Sequence, residues 1–125
     1  MPITNYGAQA IAWQIGSNLP NNYIQYAAIG SGSGTFAYTQ TTLLNERDRN
    51  PITGSPDFTV SKKVTFQFDF NSVEMSGTNL TEFGFTGVAG PGSTGSMWHI
   101  ERIGSIVFDG TNELQLINAI EVINI

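Results

Sequence analysis

One histidine, a scatter of carboxylates and one glycine-rich corner are the residues whose types could do chemistry in this chain. His99 has Glu101 two positions on, with Ser96, Ser105 and Asp109 nearby in sequence. In a strand, His99 and Glu101 share a face, so a His–carboxylate pair is sterically allowed. Nucleophilic catalysis also needs an activated hydroxyl and preorganised donors for an oxyanion, and the sequence indicates neither. A partly buried structural histidine is the simpler reading. With one His and no Cys there is no zinc spacing. Asp109-Gly110-Thr111-Asn112-Glu113 lacks the alternating acids of a calcium loop. No acid-rich cleft is expected for glycoside hydrolysis. Gly30-Ser31-Gly32-Ser33-Gly34 follows a strand, as a phosphate loop would. No Lys-Ser/Thr and no long helix follow it, so it reads as a tight, exposed corner. No catalytic residue, metal or cofactor is expected.

Glu82 is the most informative carboxylate. It stands within Leu80-Thr81-Glu82-Phe83-Gly84-Phe85, among aromatic neighbours. A carboxylate held there needs a cation or several donors. Arg47 and Arg102 are the candidates, because a guanidinium matches a carboxylate through two parallel bonds. Such a carboxylate is either a catalytic acid or half of a buried ion pair that locks the helical segment expected around 39–49 onto the sheet. The structural role carries more weight, since no second catalytic group converges on it.

The element that must position these residues is announced by Phe58 to Phe70. Every even position except Lys62 is apolar and every odd position is polar or charged. Period two is the signature of a strand with one face in a core and one toward solvent. The long strand is expected over about Asp57 to Met75. Strands are also expected at Tyr23–Ile29, Leu80–Phe85 and Met97–Phe108, the last bent at Gly104. A hairpin turn at Asp109-Gly110-Thr111-Asn112 then leads into Glu113–Ile125. Apolar residues on both faces of that final strand predict a covered position.

Thr4 or Asn5 caps a short helix ending near Gly16, with Ala8, Ile11, Ala12 and Ile15 on its buried face. Trp13 falls off that stripe as a candidate terminal contact. Thr39 to Arg49 is expected to be helical for two turns at most, with Leu43 and Leu44 inward. The fold class is therefore mainly β: one antiparallel β-sandwich domain over 1–125, with one or two short helices near the N-terminus.

Composition narrows the partners. Apolar residues make up 40% and charged residues only 12%, which disfavours disorder. The net charge of −5, with no basic patch, argues against nucleic acid. No apolar run approaches the roughly 20 residues that span a bilayer, and residues 1–20 lack the pattern of a signal peptide. The absence of Cys fits a reducing cytosol.

Several segments taken together resemble a family. Ile29-Gly30-Ser31-Gly32-Ser33-Gly34-Thr35 is followed by Leu43-Leu44-Asn45-Glu46-Arg47, the long alternating strand, Leu80-Thr81-Glu82-Phe83-Gly84-Phe85 and a Gly-rich loop. This order resembles small tailed-bacteriophage virion proteins related to tail-fibre and tail-collar modules. An Ile-Gly-x-Gly corner, a Leu-x-x-Glu-x-x-Arg-like segment and a Thr-Glu-x-Gly-hydrophobic strand recur there in that order. The resemblance implies a non-enzymatic structural subunit of the virion, made in the host cytoplasm. It would oligomerise and dock onto other tail proteins of the baseplate or fibre attachment. Two alternatives stay open: a capsid decoration protein stapling capsomers, and a carbohydrate-binding module that meets a host-surface glycan. Candidate interface residues are Gly30, Gly32, Gly34, Phe36 and Tyr38 in one loop region, with Pro91 and Trp98 in and beside another.

Overall fold

The fold is described from a computed structural model covering residues 3–16, 23–74, 77, 79–87, 97–107, 110–111 and 113–123. One helix, α1 (Asn5–Ile15), precedes six strands: β1 (Tyr26–Gly30), β2 (Glu46–Pro51), β3 (Lys63–Phe70), β4 (Asn79–Thr86), β5 (Met97–Val107) and β6 (Leu114–Glu121). Four strands form one antiparallel sheet in the order β2-β1-β4-β5, and β3 pairs with β6 in a second. The fold is thus mainly β, with two antiparallel sheets.

The alternating pattern builds the contact between the sheets. Phe66, Phe68 and Phe70 are buried and meet Ile29, Leu80, Phe85 and Trp98 in the main core. The strand begins only at Lys63, because Lys62, the one even position without an apolar side chain, turns the chain at φ 63°. Phe58 and Val60 therefore escape the core and lie exposed. Upstream of the turn, the 53–57 segment flanks β3 instead. Thr53 N–H donates to Gln67 O at 2.8 Å, and Asp57 and Thr65 exchange both backbone bonds at 2.9 Å.

The second expected helix does not form. Leu44 and Asn45 donate their amides to a side chain, described below, rather than to carbonyls one helical turn back, and Glu46–Pro51 pairs with β1. Pairing across the sheet overrides local helix preference here. Leu43 is inward as expected, but Leu44 is exposed. Segment 31–45 instead covers the outer face of the four-stranded sheet, where Leu43 and Phe36 pack on Ala28, Met97 and Ile100.

The helix turns the opposite face inward. Gly7 and Ala10 are buried, Tyr6 and Trp13 pack on the core, and the Ala8-Ile11-Ala12-Ile15 stripe faces solvent. Close approach decides this. A Cβ on Gly7 would sit 2.4 Å from the Trp98 carbonyl oxygen, so only a glycine lets α1 reach β5. Thr4 caps the helix by accepting from Gly7 N–H at 2.9 Å, and its hydroxyl also donates to the Met97 carbonyl.

Gly104 sits in the irregularity expected of it. The register passes from Leu80↔Ile106 to Glu82↔Arg102, which sets three residues of β5 opposite Thr81. Gly110 has the positive φ of a turn, 92°. The strands that it joins nevertheless belong to different sheets, so the expected hairpin is absent. The start of β5 is already occupied on its outer edge by Ile3 and Thr4. The inner residues of β6 (Leu114, Leu116 and Ile120) find their apolar partners opposite β3. Asn118 shares that inner face. The other face of β6 is exposed rather than covered.

Candidate functional site

Glu82 lies at the centre of one rung that crosses the whole four-stranded sheet: Glu46, Gly30, Glu82 and Arg102 are successive partners. The carboxylate is fully buried under segment 31–45. Its Oε2 accepts from Gly32 N–H at 2.7 Å and Asn45 N–H at 2.9 Å. Oε1 accepts from Leu44 N–H at 2.8 Å and from Arg102 Nη1 at 3.2 Å. These four donors occupy the roughly four acceptor positions of a carboxylate. Arg102 Nη2 and the Thr81 hydroxyl both donate to Gly32 O, at 2.9 and 2.6 Å, which closes the knot. Glu82 therefore locks two stretches of loop onto the sheet. No acceptor capacity remains for a substrate proton.

The glycine corner is shaped to this carboxylate. A Cβ at Gly32 would stand 2.2 Å from Glu82 Oε2, and one at Gly30 would stand 2.5 Å from Asn45 O. Gly34 needs its own freedom at φ 137°. Gly30 and Gly32 are thus enclosed and unavailable as interface residues, while Gly34 is exposed. The corner is a cradle for an internal anion, not the exposed turn expected from sequence.

Arg47 takes no part in the knot. The register with β1 jumps from Ile29↔Asp48 to Gly30↔Glu46, so Arg47 is the extra residue of a bulge and faces solvent. The bulge brings Glu46 and Arg49 together instead. Arg49 Nε donates to Glu46 Oε2 at 2.9 Å and Nη2 to Oε1 at 2.6 Å, with both side chains nearly enclosed. Sequence reasoning missed this pair, which is bidentate where Arg102 reaches Glu82 through one nitrogen. Its signal was the i, i+3 spacing of Glu46 and Arg49, which shares a face in a helix and, within a strand, only across a bulge.

His99 is buried, edge-on to Phe85, and its Nδ1 has no hydrogen-bond partner among the described residues. Burial pushes its pKa down to about 4, so the imidazole is neutral at pH 7. No described hydroxyl is activated by it. Ser96 and Asp109 lie outside the described residues, as does Pro91.

Of the remaining interface candidates, Trp98 is buried in the core and Trp13 packs against it, so neither is a free contact. Phe36 is half-buried on the outer-face cluster and edge-on to Tyr38, which is exposed.

An acid-lined groove, not expected from sequence, opens between the end of β2 and the β3–β6 sheet. It has a volume of about 610 Å³ and is lined by Asn50, Asp69, Glu74 and Glu113 among others. Its acids brace the fold. Glu74 accepts from Asn50 Nδ2 at 2.9 Å and from Asn71 N–H at 2.8 Å, and Asn50 Nδ2 also donates to Asp69 O at 2.9 Å. Burial, and then the neighbouring Glu74 and Glu46, hold the Asp48 carboxyl above its ordinary range. Among the described residues, no group of three or more His, Cys or acidic side chains could hold a metal ion.

Comparison of the chain with family models, with curated proteins and with solved structures gave no match.

Proposed function

We propose that this chain is a non-enzymatic structural subunit of a bacteriophage virion, which oligomerises and docks onto other proteins of the tail. The observation that carries this reading is where the apolar side chains go. Phe58 is 71% exposed, Val60 57% and Val122 68%, and they rim a groove of about 340 Å³ at the end of the two-stranded sheet. Exposed apolar surface gathered in one place marks a site of association.

The buried polar groups support the same reading. Three of the segments that resemble tail-fibre and tail-collar modules (the glycine corner, the 43–47 segment and the Glu82 strand) converge on the Glu82 knot, where they hold loops to a sheet. They serve architecture, and the surface is left to do the work. No observation favours a sugar-binding module, since Trp13 and Trp98 are both turned inward. The test is to label gradient-purified particles from cells carrying the gene with an antibody against this protein, and to quantify it by mass spectrometry. A fixed copy number per particle, with label on the tail, is the expected result. Label over the head would move the chain to capsid decoration. Absence from the particles would overturn the reading.

A further inference from the structure

Among the described residues, none pairs with the outer edge of β6. Strand β6 pairs with β3 without interruption from Lys63↔Glu121 to Phe70↔Leu114. Val122 N–H donates to Lys62 O at 2.8 Å, which places the even-numbered residues of β6 in hydrogen-bonded contact with β3. Gln115, Ile117, Ala119 and Glu121 therefore direct their N–H and C=O groups away from β3. All four are exposed, Ile117 by 60%.

The other edges are covered in part or blunted: β2 carries the Arg47 bulge and ends at Pro51. The far edge of β3 carries the 53–57 segment, and the start of β5 carries Ile3 and Thr4. Sheet edges are ordinarily blunted by Lys, Pro, a bulge or a covering segment. Leu114–Glu121 has no Lys, Pro or Gly, and its register has no shift. Two strands alone also make a marginal sheet.

We infer that β6 pairs antiparallel with β6 of a second copy of this chain, about a two-fold axis at Asn118. This rests on the assembly reading above and names its surface. The charges permit a second copy here. The outward groups of both strands meet when Gln115 lies opposite the partner's Glu121 and Ile117 opposite the partner's Ala119. That register spans residues 115–121 and opposes no like charges. Across the joined sheet one rung then reads Lys63, Glu121, the partner's Gln115 and the partner's Asp69. A shift that opposes Ile117 to itself would set Glu113 against Glu121. The self-complementary alignment makes a second copy the occupant, through an isologous contact.

Ala119→Pro tests this, because the N–H it removes faces solvent in the single chain, where an edge proline is tolerated. Light scattering over a concentration series is expected to give a dimer for the wild type and a monomer with native circular dichroism for A119P. Amide exchange of the unaltered protein provides a second readout that needs no variant. The Ile117 and Ala119 amides should exchange about tenfold or more slowly above the dimerisation midpoint than below it. Gln115→Glu, facing the partner's Glu121, should weaken the dimer several-fold, and Gln115→Lys should tighten it.

An oligomer that persists in A119P, with Ile117 and Ala119 unprotected, would overturn the edge pairing and leave the assembly reading standing. A wild-type monomer at every concentration would overturn the second-copy pairing and the self-association in the reading above, and leave docking onto the tail to the particle test. Protection of these amides only after a tail protein is added would give the edge to that protein's strand and overturn the second-copy assignment.

Discussion

Glu82 and Gly32 form one unit, because the carboxylate takes the space that a side chain at Gly32 would need. Removing one member of a buried charged pair leaves its partner uncompensated, at a cost of about 3–5 kcal/mol. Glu82→Gln keeps the shape but points an amide NH2 at donors, so urea unfolding should register a loss of about 3 kcal/mol or more. A loss below about 1 kcal/mol, the worth of an exposed pair, would contradict the knot.

His99 makes a pH prediction. Its unfolded imidazole takes up a proton near pH 6.5, while the folded one resists until about 4. The unfolded state therefore binds more protons across that window. Stability falls as pH drops from 6.5 toward 4 and levels off below, by about 3 kcal/mol at most for this group. The His99→Phe variant, compared with wild type by chemical denaturation at several pH values, should lose that component of the slope. At pH 7 it should be neutral or better, since it removes an unpaired buried nitrogen. The need of Glu82 for a buried partner was legible from its aromatic neighbours, and Arg102 was one of two candidates. The three backbone amides were not legible, because they come from loops 37 to 50 residues away in sequence.

At the scale of elements, α1 is the clearest case of packing overriding pattern. Its greasier stripe, Ala8-Ile11-Ala12-Ile15, lost to the face that carries Gly7 and Ala10, since only small residues let the helix sit against β5. In an isolated helix, Gly→Ala gains about 1 kcal/mol. Here Gly7→Ala should lower the melting temperature by several degrees, because its Cβ collides with a backbone oxygen; overpacking of this kind costs roughly 1–3 kcal/mol. A rise would show that the helix is held less closely. Strand β3 was legible from period two over Val64–Phe70, where one face is truly buried. The same alternation at Phe58 and Val60 was misleading, because a turn at Lys62 intervenes. Strand β2 had no apolar period to betray it. Its segment Glu46-Arg47-Asp48-Arg49-Asn50-Pro51 is strand only because β1 offers it an edge.

For the whole molecule, the mainly-β class and the capped N-terminal helix follow from strand periods and helix caps, while a second expected helix does not form. The distribution of strands between sheets does not, since β6 follows β5 in sequence yet pairs with β3. Three polar residues are taken up internally: Glu82 by four donors, Glu46 by Arg49 and His99 by the core. Among the described residues the exposed apolar rim and the β6 edge have no internal partner, and we propose that association uses them. One measurement bears on this most directly: the solution mass of the purified protein by light scattering from low to high concentration. Association predicts a mass that climbs from the 13.5 kDa of one chain to at least twice that value. A mass fixed at 13.5 kDa throughout would contradict the account.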